Sequence, residues 1–272
     1  MLTHASLMVT GEAADEAVQL ARGNPNLSVG VHLVLVDGRA ALPRSRIPHL
    51  VNADGRFRPG PVRAGLAAQF PPVAPNEVRQ EVRAQLERFR ETGLTLTHVD
   101  GHHHLHLHPV VLDTLAALAR EFEIPVVRLP SEELGFALAH DRSRMPGKRL
   151  ESWVFRRLRR HGERVLGPAG IAFDDRVYGL HQTGRLDETY LLDLIPRIEA
   201  DMVEIYAHPE SPADVERGDG RSGAGVRELT ALTSPTVRAV IEAAGFTLGR
   251  SLPVAAVRDG GNGTLEAESL VV

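Results

Sequence analysis

An α/β fold built on a parallel sheet or barrel is what this sequence predicts, and three observations carry the prediction. Apolar stretches of strand length alternate with helical patterns in the order β, α, β, α, β. One of them, Leu27 to Val36, is apolar on both parities, as a strand covered on both faces must be. A chain of 272 residues with 43% hydrophobic side chains is long for one ordinary domain but normal for a single α/β barrel.

Leu2 to Val9 has strand character, and Gly11 ends it before a helical stretch carrying Ala13, Ala17, Leu20 and Ala21 at helical spacing. Asn24-Pro25-Asn26 then turns the chain into the Leu27–Val36 strand. There His32 follows Gly30 on the same side, leaving space for a backbone or a ligand to approach. A lone histidine in a core strand is otherwise a hydrogen-bonded packing residue. Asp37 to Pro75 is rich in Pro, Gly and Arg and reads as a long loop with one short helix near Val62 to Phe70, either a binding loop or a surface excursion. Asn76 is the expected N-cap of an amphipathic helix with Val78, Val82, Leu86 and Phe89 on its buried stripe and Gly93 at its end.

That helix leads into Leu94 to Pro109, LTLTHVDGHHHLHLHP, the most informative stretch of the chain. Leu94, Thr95, Leu96 and Thr97 read as a buried strand that empties at Asp100-Gly101 into His102, His103, His104, His106 and His108. If the chain stays extended, His98, Asp100, His102, His104, His106 and His108 share one side, a spacing that suits convergent imidazoles. Such a tract can also bind metal adventitiously, solvate a loop or cap the following helix.

Pro109 opens a helix over Val110 to Phe122, and Ile124 to Leu129 makes the next strand, with Arg128 at its end. Ser131 to Gly167 is basic and poor in pattern, with one short helix expected around Trp153, Val154 and Leu158. Its run Arg156, Arg157, Arg159 and Arg160 reads as a solvated face or as a site for a phosphate or an anionic headgroup. Gly170 to Phe173 and Arg176 to Gly179 have short-strand character, and Asp187 is a plausible N-cap for a helix to Ile198. Met202 to Ala207 is the last strong strand and delivers His208-Pro209 at its carboxyl end, where active sites of α/β barrels collect. Ser234-Pro235 begins a final helix to Gly245, and Phe246 to Leu248 has closing-strand character. Residues 259–272 are expected to form a loose tail after a single domain over 1–258.

A formal charge of -4 with interspersed signs gives no broad basic surface, so nucleic acid is not indicated as a partner. The absence of cysteine excludes disulfides and thiolate metal sites. No apolar run approaches a membrane span, and the acidic opening lacks the pattern of a secretory signal, so a cytoplasmic protein is expected. The sequence leaves homodimerisation open.

Three signatures, Gly30-Val31-His32-Leu33, Thr97-His98-Val99-Asp100-Gly101-His102-His103-His104-Leu105-His106 and Glu204-Ile205-Tyr206-Ala207-His208-Pro209, together resemble the YdjC-like carbohydrate deacetylases. The stretches SLMVTG, GVHLVLVDGRAALP and DGRF look like the branch of that family found in hopanoid biosynthesis. The resemblance runs from Leu2 to about Leu248. It implies a distorted (β/α) barrel that uses one divalent metal ion (Mg, Zn, Mn, Ni or Co) to remove the acetyl group from an N-acetyl sugar or glycolipid. Residue by residue, it makes His32 and His102 the imidazole ligands and His208 the proton donor to the leaving amine. Asp100, His104 and Arg128 are then candidates to orient a ligand or to contact substrate.

Members of that family begin with a strand ending in an Asn-Ala-Asp-Asp-Phe-Gly type motif that supplies the base and a third metal ligand. This sequence has no such motif, and Met1 aligns just after that strand and helix, a difference of roughly 30 residues. Either the start is placed too late or the chain is a genuine remnant; if the 272 residues are the whole, the expectation is a barrel lacking its first strand and helix, with impaired activity. Competing with the deacetylase are a non-catalytic metal- or sugar-binding remnant of the same fold and, more weakly, a two-metal phosphoesterase.

Overall fold

The computed structural model describes residues 1–216, 223–249 and 269–271. The first half runs β1 (His4–Leu7), α1 (Ala14–Gly23), β2 (Ser28–Leu33), α2 (Pro61–Gln69), α3 (Ala74–Glu91), β3 (Val99–Gly101) and α4 (Pro109–Phe122). It continues through α5 (Leu134–His140), α6 (Met145–Leu166), β4 (Arg176–Tyr178), α7 (Glu188–Leu194), β5 (Met202–Ile205) and α8 (Pro212–Glu216). After these come α9 (Ala224–Thr233), α10 (Pro235–Ala243), β6 (Thr247–Leu248) and β7 (Ser269–Val271).

All strand pairs in the two sheets are parallel, in the orders β1-β2-β3 and β4-β5-β7-β6. Single bridges, Val99 to Val127 and Val126 to Ala172, carry the first sheet onward through the segment expected as the Ile124–Leu129 strand. The fold is thus mixed α/β with parallel sheets. Among the described residues the ladders do not close into the expected (β/α) barrel, and β1 has a ladder partner on one edge only.

Each sheet has its own apolar core. Val31, Leu33, Val99, Leu112, Leu115 and Leu129 bury the first sheet under α3 and α4, while Val203, Ile205, Leu191, Leu194, Val237 and Ile241 bury the second. Asp187 and Ser234 cap their helices through side-chain oxygens, as their positions before α7 and α10 suggest.

Several expectations need correction. Leu94 to His98 is not a ladder strand, although Thr97 N–H donates to Val29 O at 3.2 Å and Val31 N–H to His98 O at 3.0 Å. The strand proper is only Val99–Gly101, and His102–Leu107 forms a 3-10 turn in which His103 and His104 adopt positive φ (50° and 55°). The histidines therefore do not lie along one side of an extended strand. The turn instead buries Leu105, His106 and Leu107 together, which an extended run would send to opposite faces. His108 caps α4 by accepting from Val110 N–H at 3.3 Å.

Asn76 is not an N-cap, because α3 starts at Ala74 with Pro75 in its first turn. The stretch expected to hold one short helix carries the 22-residue α6, whose Gly162 faces Leu129 and Leu112 so that the helix lies close on the core. The tail expected to be loose from 259 ends in β7, which inserts between β5 and β6; 259–268 lie outside the described residues.

Candidate active site

The parallel register of β2 and β3 sets His32 beside Asp100. His32 Nδ1 donates to Asp100 Oδ1 at 2.7 Å, which leaves Nε2 as the ring's lone-pair atom. Asp100 is 1% exposed, and its other oxygen accepts from Ser6 Oγ at 3.0 Å and from the Arg128 guanidinium. Burial works against its charge, yet Arg128 and His32 hold the carboxyl well below the usual range. Ser6 spends its only hydroxyl proton on Asp100, so His98 Nε2–H donates to Ser6 Oγ (2.9 Å) and Nδ1 accepts from Thr97 Oγ1 (3.0 Å). Burial pushes His98 down to about 4, in keeping with a neutral ring.

Arg128 is the hub of the site. Its Nε lies 2.9 Å from both Glu204 oxygens, its other nitrogens meet Asp100 and Glu204, and its Cζ lies 5.1 Å from the centre of the Tyr206 ring. Burial would weaken its charge, but the two carboxylates raise its pKa further above the ordinary arginine value. His106 Nε2–H donates to Arg128 O at 2.9 Å and fixes the backbone there.

A cavity of about 260 Å³ opens on these groups between β1 and β5. His32, Asp100, His102, Arg128 and His208 all line it, together with His4, Ser6, Glu204 and Tyr206. The His32 and His102 rings are 5.7 Å apart between centroids and inclined at 67°. His208, three residues past β5, has its ring 5.8 Å from Tyr206 and its N–H bonded to Glu228 at 2.6 Å. His104 stands outside that lining: its Nε2 is 2.9 Å from Tyr206 Oη and its ring packs edge-on to Phe155. His104 thus meets the cavity wall through Tyr206.

Sequence reasoning overlooked Ser6, Glu204 and Tyr206 as individual site residues, and grouped His98 with the other histidines by parity alone. The signal was alternation: Glu204, Tyr206 and His208 share a parity, as do His4 and Ser6. Asp174 lies apart with Arg128 and Glu204 around a second cavity of about 20 Å³, and burial with the Glu204 charge pushes its carboxyl well above the usual value.

The donor set falls short of a complete metal site. Two imidazoles converging as His32 and His102 do could meet one ion at roughly 2.1 Å each. Among the described residues, however, no three His, Asp or Glu side chains gather to hold an ion, because Asp100 and Glu204 are turned to Arg128. A catalytic zinc ordinarily has three protein donors, so these two imidazoles do not make a complete zinc site by themselves.

Comparison with known proteins places this geometry in context. A family model described as YdjC-like protein matches residues 1–243. A carbohydrate deacetylase of Brevibacillus brevis is 44% identical over 127 residues, 46% of this chain and 48% of that protein. The chain thus spans about half the length of this and similar bacterial relatives. A carbohydrate deacetylase of Mus musculus is 33% identical over 270 residues, covering 91% of this chain and 84% of its own. A chitooligosaccharide deacetylase of Yersinia pestis is 28% identical over 259 residues, with 93% and 88% covered. In fold, the chain matches a crystal structure described as a cellobiose-phosphate cleavage protein of Enterococcus faecalis, with a TM-score of 0.67 and 24% identity over 89% of this chain and 84% of that one.

Proposed function

The chain belongs to the YdjC-like family, and from that premise we propose that its histidine-lined cavity removes the acetyl group from an N-acetylated sugar. The substrate class is an N-acetylglucosaminyl lipid, such as a hopanoid glycolipid, or a chito-oligosaccharide. The observation that carries this reading is the convergence of His32, His102 and His208 on one cavity, with His32 tied to a buried Asp100.

In the hydrolysis, water oxygen bonds to the acetyl carbon and gives up a proton, the C–N bond breaks, and the nitrogen takes up a proton because an amide anion is too poor a leaving group, releasing acetic acid and the free amine. We assign delivery of that proton to His208, beside Tyr206 at the cavity wall. Asp100 holds the His32 tautomer, and Arg128 holds Asp100. His32 and His102, whose rings converge on the cavity, are proposed as two of the donors to one divalent ion.

Acetate release from an N-acetylglucosaminyl substrate, with divalent metal supplied, tests the reading. The expected result is release above background, falling to background in His102→Ala. A second reading, a sugar- or metal-binding protein without turnover, is favoured by the two-donor set. Saturable sugar binding with no acetate released would replace the first reading with the second.

A further inference from the structure

The outer face of α6 combines basic and exposed apolar side chains. The helix carries seven basic side chains against two acidic ones in a chain whose formal charge is -4. Both acids are occupied, Glu163 by Arg159 and Glu151 by His181. Leu150 and Trp153, 63% and 57% exposed, stand with Val154 on the same outer face as Arg157, Arg160 and Arg164, at helical spacing. A groove of about 800 Å³ runs between this face and Pro109 at the start of α4. The opposite face is spent on the core, through Ser152, Gly162 and Leu166.

A second exposed apolar strip lies on α2, where Leu66 is 58% exposed beside Val62 and Phe70. Both helices pack on the 3-10 turn that carries the histidines. Phe155 of α6 meets His104, and Gly65 of α2 sits beside Leu105 and His108, close enough that a Cβ there would be 3.8 Å from Leu105. The two strips therefore border the turn that leads to the cavity.

We propose that this side of the molecule seats on the surface of an anionic lipid bilayer. Trp153 and Leu150 enter the interface while Arg157, Arg160 and Arg164 meet lipid phosphates. The chemistry favours a bilayer because an indole with aliphatic neighbours, flanked by arginines on one long helix, matches the boundary between acyl chains and charged headgroups. A protein interface core would be depleted of charge. A nucleic-acid groove would need more than one stacking aromatic. The proposal does not depend on the deacetylase reading, since binding to a bilayer and release of acetate can each succeed or fail alone.

Trp153 is the only tryptophan of the sequence, so its fluorescence reports the event directly. With vesicles of phosphatidylglycerol its emission is expected to shift to the blue and the protein to sediment with the lipid, whereas phosphatidylcholine vesicles leave both unchanged. Arg157→Gln with Arg160→Gln, both exposed and outside the cavity, is expected to lower the partition coefficient roughly thirtyfold with unchanged circular dichroism. Independently of any variant, salt at about 1 M should release the protein. No shift with phosphatidylglycerol, or retention in high salt, would overturn the proposal. So would an equal shift with inorganic phosphate or heparin, which would mark a soluble-anion site. A blue-shifted emission in buffer that tracks dimer formation would overturn it too, in favour of a second copy of this chain.

Discussion

Arg128 ties together stretches far apart in sequence: Glu204 in β5 and the β3-to-turn stretch, which it meets through Asp100 and, by its carbonyl, through His106. A guanidinium buried between two carboxylates contributes little net stability compared with an apolar cluster of equal size, but removing one partner strands the others. Arg128→Leu is therefore expected to cost about 3 to 5 kcal/mol, read from urea unfolding, because Asp100 and Glu204 would face each other uncompensated. Arg128→Lys should recover only part of that, since an ammonium cannot present parallel donors to Glu204 while reaching Asp100. At this scale the sequence was informative about residue type and less so about partners. His32, Asp100, His102 and His208 could be singled out from their place at strand ends, whereas the pairing of Arg128 with Glu204, 76 residues away, leaves no local pattern. His104 shows the converse: parity placed it with the others, and two positive-φ residues in the turn moved it behind Tyr206.

Among the elements, β2 shows how packing sets the site. A Cβ on Gly30 would lie 2.4 Å from His98 O and 2.5 Å from the His98 ring, and His98 O is the acceptor of Val31 N–H. Gly30→Ala must therefore push β2 away from the segment before β3 and shift His32 relative to Asp100. The expected loss is about 1 to 3 kcal/mol, seen as a lower Tm, because backbone rather than a flexible side chain has to move. An unchanged Tm would show that the two segments separate at no cost. The glycine's role in close approach was readable from its place two residues before His32. Helices with regular apolar stripes, such as α3 and α4, were also legible, to within a few residues at their ends. The 22 residues of α6 were not, because arginines and exposed apolar side chains alternate on its outer face and obscure the stripe that meets the core. The segment around Val126 was read as a strand from its apolar run, but it makes only single bridges to its neighbours.

For the molecule as a whole, the informative feature is that the cavity lies where the fold is open. Its walls are β1, paired only with β2, and β5 with its continuation to His208, and no ladder joins the two among the described residues. A strand with a ladder neighbour on one side only can take an extended segment on the other. A strand laid there would place alternate side chains into the same cavity as His32 and His102. A carboxylate carried on such a segment would add to the two converging imidazoles, His32 and His102. If that account is right, a variant with an Asn-Ala-Asp-Asp-Phe-Gly strand and a connecting helix fused ahead of Met1 should bind zinc more tightly than residues 1–272 in isothermal titration. It should lose the gain when both added aspartates become asparagine, since the amide keeps the strand but not the anionic donor. Equal zinc affinity for the fused and unfused chains, with the added strand shown by amide exchange to be protected on β1, would mean that carboxylates along this edge do not reach the ion, and the third donor would have to be sought on another wall of the cavity.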